Sequence, residues 1–372
     1  MQTLLGLELE GNVRDHVTHM VADYNRRSND GAIAIALDAE GDISIGYAFA
    51  DRPMTASQHA LQRCETERSK HVNVGSPCEI VFLNNEAVAT ASTLKAPYGP
   101  QQPSFLWRVD GGEVPVFVGG TIHLMKPSLY PLNTALRNAY NQTDQLAVEA
   151  DVLQIDPAEA AKLQKLMVAD PEEVDAALSE NLRDHLTAFS TITGIPFQAL
   201  LGIQPNMLSA DVAVARLTAL GYTPTAGIDR HFLTRAAADG KPIIELESLA
   251  YQMALMTSPS IATQAKLLEQ TFDELENANG FLEEMVSSWL AGDAETLYEA
   301  TSAEYEDPEF AEFGRRFLDE RNARMGERII GLLKGERATL VLVGAAHFGG
   351  PSGILAHLKK AGYGLTQVPR GG

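Results

Sequence analysis

The sequence predicts an α/β protein. It has a central mixed sheet flanked by helices, a long helical insertion and a small N-terminal α/β unit, with α+β segregation as the alternative arrangement. Three observations predict it. Apolar runs of strand length alternate with longer stretches of helical spacing, which implies crossover connections. Two glycine-containing turns follow apolar runs that are far apart in the chain, at Gly119-Gly120-Thr121-Ile122-His123 and Gly344-Ala345-Ala346-His347. The stretches from Pro157 to Ala219 and from Ser260 to Leu333 read as helical almost throughout.

Taken in order, residues 13–25 have helical spacing. Ala32–Leu37 and Ile43–Phe49 are strands around the turn Asp38-Ala-Glu-Gly-Asp42, a hairpin signal. Ala56–Glu67 is a helix capped by Thr55. Ile80–Leu83 and Ala87–Ala89 complete a small sheet. Lys95-Ala-Pro-Tyr-Gly-Pro-Gln-Gln-Pro-Ser104 holds three prolines and a glycine, so it divides a module at residues 1–94 from a domain at 105–372. That domain opens with Leu106–Val109, a turn at Asp110-Gly111-Gly112, and Val114–Val118. Gln145–Val148 is a strand running into Glu149-Ala150-Asp151. The helical stretch from Pro157 breaks at Pro171, Gly194-Ile195-Pro196 and Pro205. Ile228–Asp239 is a helix and Lys241–Leu246 a strand ending at Glu247. Helical stretches over 260–297 and 308–333 come next, then the strand Thr339–Val343, a helix over 354–360 and a last strand over 364–368.

Composition narrows the function. The chain has 372 residues, 45% hydrophobic and 21% charged, which are globular values. Its formal net charge of -20 argues against nucleic acid as partner, because phosphate neutralisation needs a basic face. The same charge argues against docking on anionic lipid. No apolar run approaches the ~20 residues that span a bilayer, and MQTLLGLELEGN lacks the basic start and clean apolar core of a signal peptide. Cys64 and Cys78 lie in one helix–turn–strand segment, where a disulfide would tie helix to strand. That pairing implies an oxidising compartment, periplasmic or secreted.

The chemistry concentrates at strand ends. His123, Glu149, Glu247 and His347 each sit at or just beyond the carboxyl end of a predicted strand, where open α/β sheets place ligands. A single histidine or glutamate in such a place is ordinarily a structural residue or a cap. Recurrence of G-x-x-H after two different strands shifts the balance. Gly120 and Gly344 let backbone approach a ligand closely. Glu320-Arg321-Asn322-Ala323-Arg324-Met325 lies on a predicted helix. Read plainly it is a solvated face with a Glu320–Arg324 pair. Read functionally it aims an arginine into the crevice, to hold a carboxylate or an oxyanion.

Five ordered segments carry a family resemblance: LWRVDGGEVPVFVGGTIHL, LAVEAD, GYTPTAGIDRHFLTRAAADGKPIIELESLAYQ, FLDERNARM and LVLVGAAHFGGPSGILAHLKKAGYGL. Together they resemble the TraB/GumN family, with its TIKI-type proteases and the pheromone-shutdown protein PrgY. They are more distantly similar to haem-binding ChaN-like and erythromycin-esterase-like proteins. The resemblance covers roughly residues 105–368 and leaves the N-terminal unit outside. It implies that His123 and His347 are the paired histidines, Glu149 the following acid, Arg321 and Asn322 the R-N segment, Asp229 the G-x-D acid and Glu247 the L-E acid. It further implies hydrolysis of a peptide or small-molecule amide or ester assisted by Mn²⁺ or Co²⁺, with His123, Glu149, Glu247 and His347 as ligands. In that hydrolase His123, Glu149, Arg321 and His347 are the catalytic residues. Two alternatives stay open. One is a metal-free esterase-like hydrolase using histidine as base. The other is a non-catalytic protein that captures haem, a metal or a peptide signal.

Overall fold

The computed structural model describes residues 31–37, 43–49, 53–68, 78–83, 86–87, 101–130, 132–276 and 278–371. The helix expected over 13–25, the turns at 38–42 and 75–77, residues 88–89 and the proline-rich 95–100 lie outside them. In the N-terminal unit, β1 (Gly31–Leu37), β2 (Ile43–Phe49), β3 (Glu79–Leu83) and β4 (Glu86–Ala87) form an antiparallel sheet in the order β2-β1-β3-β4. Helix α1 (Pro53–Arg68) lies across it. It begins two residues before the expected Thr55 cap, because Pro53 suits the first helical position, whose N–H has no partner in any case. A methyl on Gly46 would overlap Ala60 O and Cys64 N, so bare backbone lets helix touch strand. Cys64 and Cys78 form a disulfide there, and both residues are buried.

The main sheet holds β5 (Pro103–Asp110), β6 (Val116–Thr121), β7 (Gln145–Val148), β8 (Ile243–Glu245), β9 (Thr339–Gly344) and β10 (Gly364–Pro369), in the order β10-β5-β6-β9-β7-β8. β10–β5 and β5–β6 are antiparallel, and β6–β9, β9–β7 and β7–β8 are parallel. It is a mixed sheet, as the alternation of elements predicts. Strand β9 lies inside it, and Leu340, Val341, Leu342 and Val343 are all buried. A strand covered on both faces has no solvent side, so its sequence is an unbroken apolar run. β8 is shorter than the expected 241–246. Lys241 is pulled out of the strand, where its ammonium caps the carbonyls of Tyr140 and Thr143.

Helix α2 (Thr134–Gln142) links β6 to β7. The insertion then builds α3 (Pro157–Met167), α4 (Pro171–Ala177), α5 (Glu180–Thr193), the single turn α6 (Phe197–Leu200) and α7 (Pro205–Ala219). Its breaks at Pro171, Gly194-Ile195-Pro196 and Pro205 fall where the sequence marks them, and the break before α5 falls where it marks none. Asp156 and Asp170 cap helices that open on proline, Ser179 caps α5, and Gly194 ends α5 in the left-handed region. Helix α8 (Ile228–Asp239) spans the predicted residues. It leads through β8 to α9 (Leu249–Met256). The stretch expected over 260–297 is three helices, α10 (Ile261–Glu276), α11 (Ala278–Ala291) and α12 (Ala294–Ser302). The next is also interrupted: α13 (Ala311–Gly314), a π-helical segment at Arg315–Glu320, then α14 (Arg321–Leu333). Helix α15 (Ile354–Lys360) precedes β10.

The largest core packs the six-stranded sheet against α2, α8, α14 and α15. A second joins α5 and α7 to α10. A third joins the N-terminal unit to the end of α7. Among the described residues no helix is long and apolar enough to cross a membrane.

Candidate functional site

Four parallel strands, in the order β6-β9-β7-β8, end along one edge of the sheet. Each runs into a polar side chain: His123 after β6, His347 after β9, Glu149 after β7 and Glu247 after β8. The structure therefore places the four predicted strand-end residues on one crest. Gly344 marks its middle. A methyl built there would lie 3.0 Å from Glu149 Oε1, 3.5 Å from His347 Cδ2 and 3.9 Å from His123 Nε2. Three of the four groups thus converge on one bare α-carbon, and a side chain at 344 would fill the space between them.

Arg321 ties the acidic side together. It is 3% exposed and stands at the start of α14, directly after the π segment. Its Nε donates to Glu247 Oε2 at 2.8 Å and its Nη2 to Glu149 Oε2 at 2.6 Å. The planar fork of the guanidinium is what allows one cation to serve two carboxylates. Gln252, on α9, donates from one amide nitrogen to Glu149 Oε2 at 3.0 Å and to Glu247 Oε2 at 3.3 Å. The remaining Glu149 oxygen accepts from the Gly344 N–H at 2.5 Å. Burial alone would raise the Glu149 pKa. His347, Arg321, His123 and the Gly344 N–H together outweigh it and hold the carboxyl down to about 2. The expected Glu320–Arg324 pair gives way to other partners: Glu320 meets Arg315 at 2.6 Å, and Arg324 lies over the Tyr251 ring.

The two histidines are held alike and tuned apart. His347 Nδ1 lies 2.6 Å from Asn322 Oδ1, and His123 Nδ1 lies 3.1 Å from Asp229 Oδ2. With Asn322 Oδ1 as acceptor, the neutral His347 ring carries its proton on Nδ1 and keeps a lone pair on Nε2. Burial pushes the His347 pKa down to about 4, against the pull of Glu149 and with the help of Arg321 and His123. The His123 side chain keeps 61% of its surface open. Crowding lowers its proton affinity, and Asp229, seconded by Glu149, reverses this and lifts the pKa to about 9. Solvent access weakens the crowding effect and the pull of the acids alike, and the direct contact with Asp229 keeps the direction upward.

Of the glycines, Gly120 belongs to the walls. A methyl there would meet the Phe105 ring, and its carbonyl accepts from Trp289 Nε1 at 2.8 Å. The sequence pattern does not mark Gln252. The one signal for it is its place three residues after Leu249, in the helix that opens just beyond Glu247.

The residues expected as metal ligands do not form a metal-binding group as they stand. The cation that neutralises Glu149 and Glu247 is Arg321, and Glu149 spends both oxygens on protein donors. Among the described residues no three His, Cys, Asp or Glu side chains are spaced to hold a metal ion. Four buried polar atoms on or beside the site residues find no hydrogen-bond partner among the described residues: Thr121 Oγ1, Asp229 Oδ1, Glu247 Oε1 and Asn322 Nδ2.

Comparison with known proteins gives a consistent picture. A model of the TraB/PrgY/gumN family matches residues 105–367. The chain is 31% identical over 172 residues to the uncharacterized protein YbaP of Escherichia coli (strain K12), covering 46% of this chain and 62% of that protein. The YbaP of Shigella flexneri matches to the same extent. The chain thus spans about 62% of the length of these curated relatives. No solved structure matches.

Proposed function

The chain belongs to the TraB/PrgY/gumN family, and from that premise we propose that it is a hydrolase of a peptide, or of another amide or ester, in which the two strand-end histidines divide the acid and base work. The observation that carries this reading is the pair itself. Two imidazoles converge beside Gly344 and are held at Nδ1 by unlike partners, the Asn322 amide and the Asp229 carboxylate, which goes with opposite sides of neutrality, His347 at about 4 and His123 at about 9. Titratable groups driven apart in this way are how a site keeps a base and an acid ready at the same pH.

In the proposed reaction His347 Nε2 takes a proton from water as the water oxygen attacks the substrate carbonyl carbon. The His123 imidazolium faces the open side. It stabilises the developing oxyanion, then gives its proton to the departing amine or alkoxide as the carbon–heteroatom bond breaks. Proton return from His347 to His123 through solvent restores the starting state. Asn322 and Asp229 fix the two rings through Nδ1. Glu149, Arg321, Glu247 and Gln252 form the rigid floor, and the Glu149 charge supports both protonated imidazoles.

A metal-dependent peptidase is the second reading. The observation that favours it is that both rings are tethered at Nδ1, which leaves both Nε2 atoms for a ligand. Turnover of a peptide and ester library, followed by mass spectrometry with and without chelator, separates the readings. Turnover that persists in chelator and falls on the order of 10²-fold in His347→Ala, His123→Ala and Glu149→Gln supports the metal-free hydrolase. Turnover lost in chelator and restored by Mn²⁺ or Co²⁺ overturns it for the metal enzyme. Tight capture of haem, a metal or a peptide without product overturns both. The buried Cys64–Cys78 disulfide supports a periplasmic or secreted location.

A further inference from the structure

The N-terminal unit supplies none of the residues placed in the chemistry, yet its core reaches the site. Leu124 directly follows His123, and its side chain packs into the cluster built from Ala32, Ala60, Cys64, Cys78 and Ile80 of that unit together with Leu220 and Tyr222. The contact is reinforced on both sides. Gly221, in the left-handed region, sits against Ile80 and Leu61, where a side chain would have to share their space. Lys126 lies over the Tyr222 ring at 5.0 Å.

The segment that receives the N-terminal unit is also the segment that holds His123. Met125 and Thr223 exchange backbone hydrogen bonds, at 3.3 and 2.9 Å, and the Ile228 N–H donates to Ile122 O at 3.1 Å. Gly227 presses against the His123 carbonyl so closely that a methyl would overlap it. Two residues later Asp229 meets His123 Nδ1. The orientation of the His123 ring is therefore fixed by two strips of backbone, 122–125 and 223–228, and both lie against the disulfide-tied unit or beside residues that do.

We propose that the disulfide-tied N-terminal unit is a buttress for the His123 turn, acting through Leu124 as a positioning residue. Leu124 packs against a cluster to which β1, β3, α1 and the Cys64–Cys78 link contribute, and a helix cross-linked to a sheet resists displacement. A turn pinned on one side only would let the imidazole swing away from Asp229 and from Gly344. The inference rests on the hydrolase reading only in its activity readout.

The test uses the full chain and compares wild type with Leu124→Ala, Leu124→Met and the paired Cys64→Ala/Cys78→Ala change. Backbone hydrogen–deuterium exchange is followed in 119–128 and, as an internal control on the other histidine strand, in 339–347. The buttress predicts exchange faster on the order of tenfold in 119–128 for Leu124→Ala and the paired change, near wild type for Leu124→Met, and unchanged in 339–347. It also predicts kcat lower on the order of tenfold with KM little altered, because the turn is displaced rather than removed. Unchanged exchange in 119–128, or an equal rise in both segments, overturns the proposal. So does wild-type turnover in Leu124→Ala. Faster exchange confined to 119–128 with no turnover in any protein sinks the hydrolase reading and leaves the buttress standing.

Discussion

His123 and His347 start from the same ordinary pKa of 6.5 and are moved in opposite directions by neighbours a few ångströms away. The proposed hydrolysis needs His347 neutral and His123 charged, so kcat/KM should rise with pH through about 4 and fall through about 9. A pH–rate profile checks both limbs. Asp229→Asn removes the charge that lifts His123, so the alkaline limb should move down in pH while the acid limb stays. The same groups give stability a pH dependence. His347 refuses a proton that the unfolded chain accepts, so stability falls as pH drops from 6.5 toward 4. Glu149, depressed from 4.5 to about 2, adds a second loss on the acid side as pH falls through that window. His123, raised, contributes stability that is complete below 6.5 and disappears as pH rises through about 9. Urea midpoints across pH should therefore peak near 6.5–7. Arg321→Met would leave two carboxylates of the floor without their cation, at a cost of about 3–5 kcal/mol by urea denaturation. Arg321→Lys should be less damaging to the fold and still lose activity, since one ammonium cannot reproduce the two-sided fork.

The strand ends and the turns behind them carry the site, and how far they can be read from sequence varies with the physics. Gln145–Val148 and Ile228–Asp239 have the bounds the sequence predicts, because each is a strong local pattern bounded by a clear stop. His123, Glu149, Glu247 and His347 are legible because each follows an apolar run. Gln252 is not. It looks like one amide in an apolar helix, and its role exists only once β7 and β8 pair and set Glu149 beside Glu247. The π segment at Arg315–Glu320 has no local marker either. Its wider turn changes the phase at which α14 begins, and so the direction in which Arg321 leaves the helix. The contact of Gly227 with the His123 carbonyl yields a direct prediction. In Gly227→Ala the methyl meets backbone, which cannot rotate out of the way. The two strips must separate, so turnover should fall on the order of 10²-fold and stability by about 1–3 kcal/mol, read by thermal melts and steady-state rates. Little change in either would mean that the strips are loosely coupled.

Across the molecule the disulfide closes a loop of 14 residues' separation between α1 and β3. Its chain-entropy contribution is about 3 kcal/mol. The paired Cys64→Ala/Cys78→Ala change should lower the unfolding free energy by about that amount, measured by chemical denaturation. The six-stranded sheet, whose core draws on no cysteine, should keep its far-ultraviolet signal at temperatures where the N-terminal unit melts.

Strand β9 pairs with β6 on one side and β7 on the other, although Thr339 lies some two hundred residues beyond both. On the ribosome, β6 and β7 are made long before the strand that belongs between them. At a synthesis rate of roughly 5–20 residues per second, they wait on the order of ten seconds or more with apolar, unpaired edges. Direct pairing of β6 with β7 in that interval would be a register that β9 must later break open. A nascent chain stalled before residue 339 should therefore be protease-sensitive and held by chaperones. Protection should appear abruptly once the Leu340–Val343 run has left the exit tunnel, and with it the β6-β9-β7 pairing that sets His123 and His347 beside Gly344.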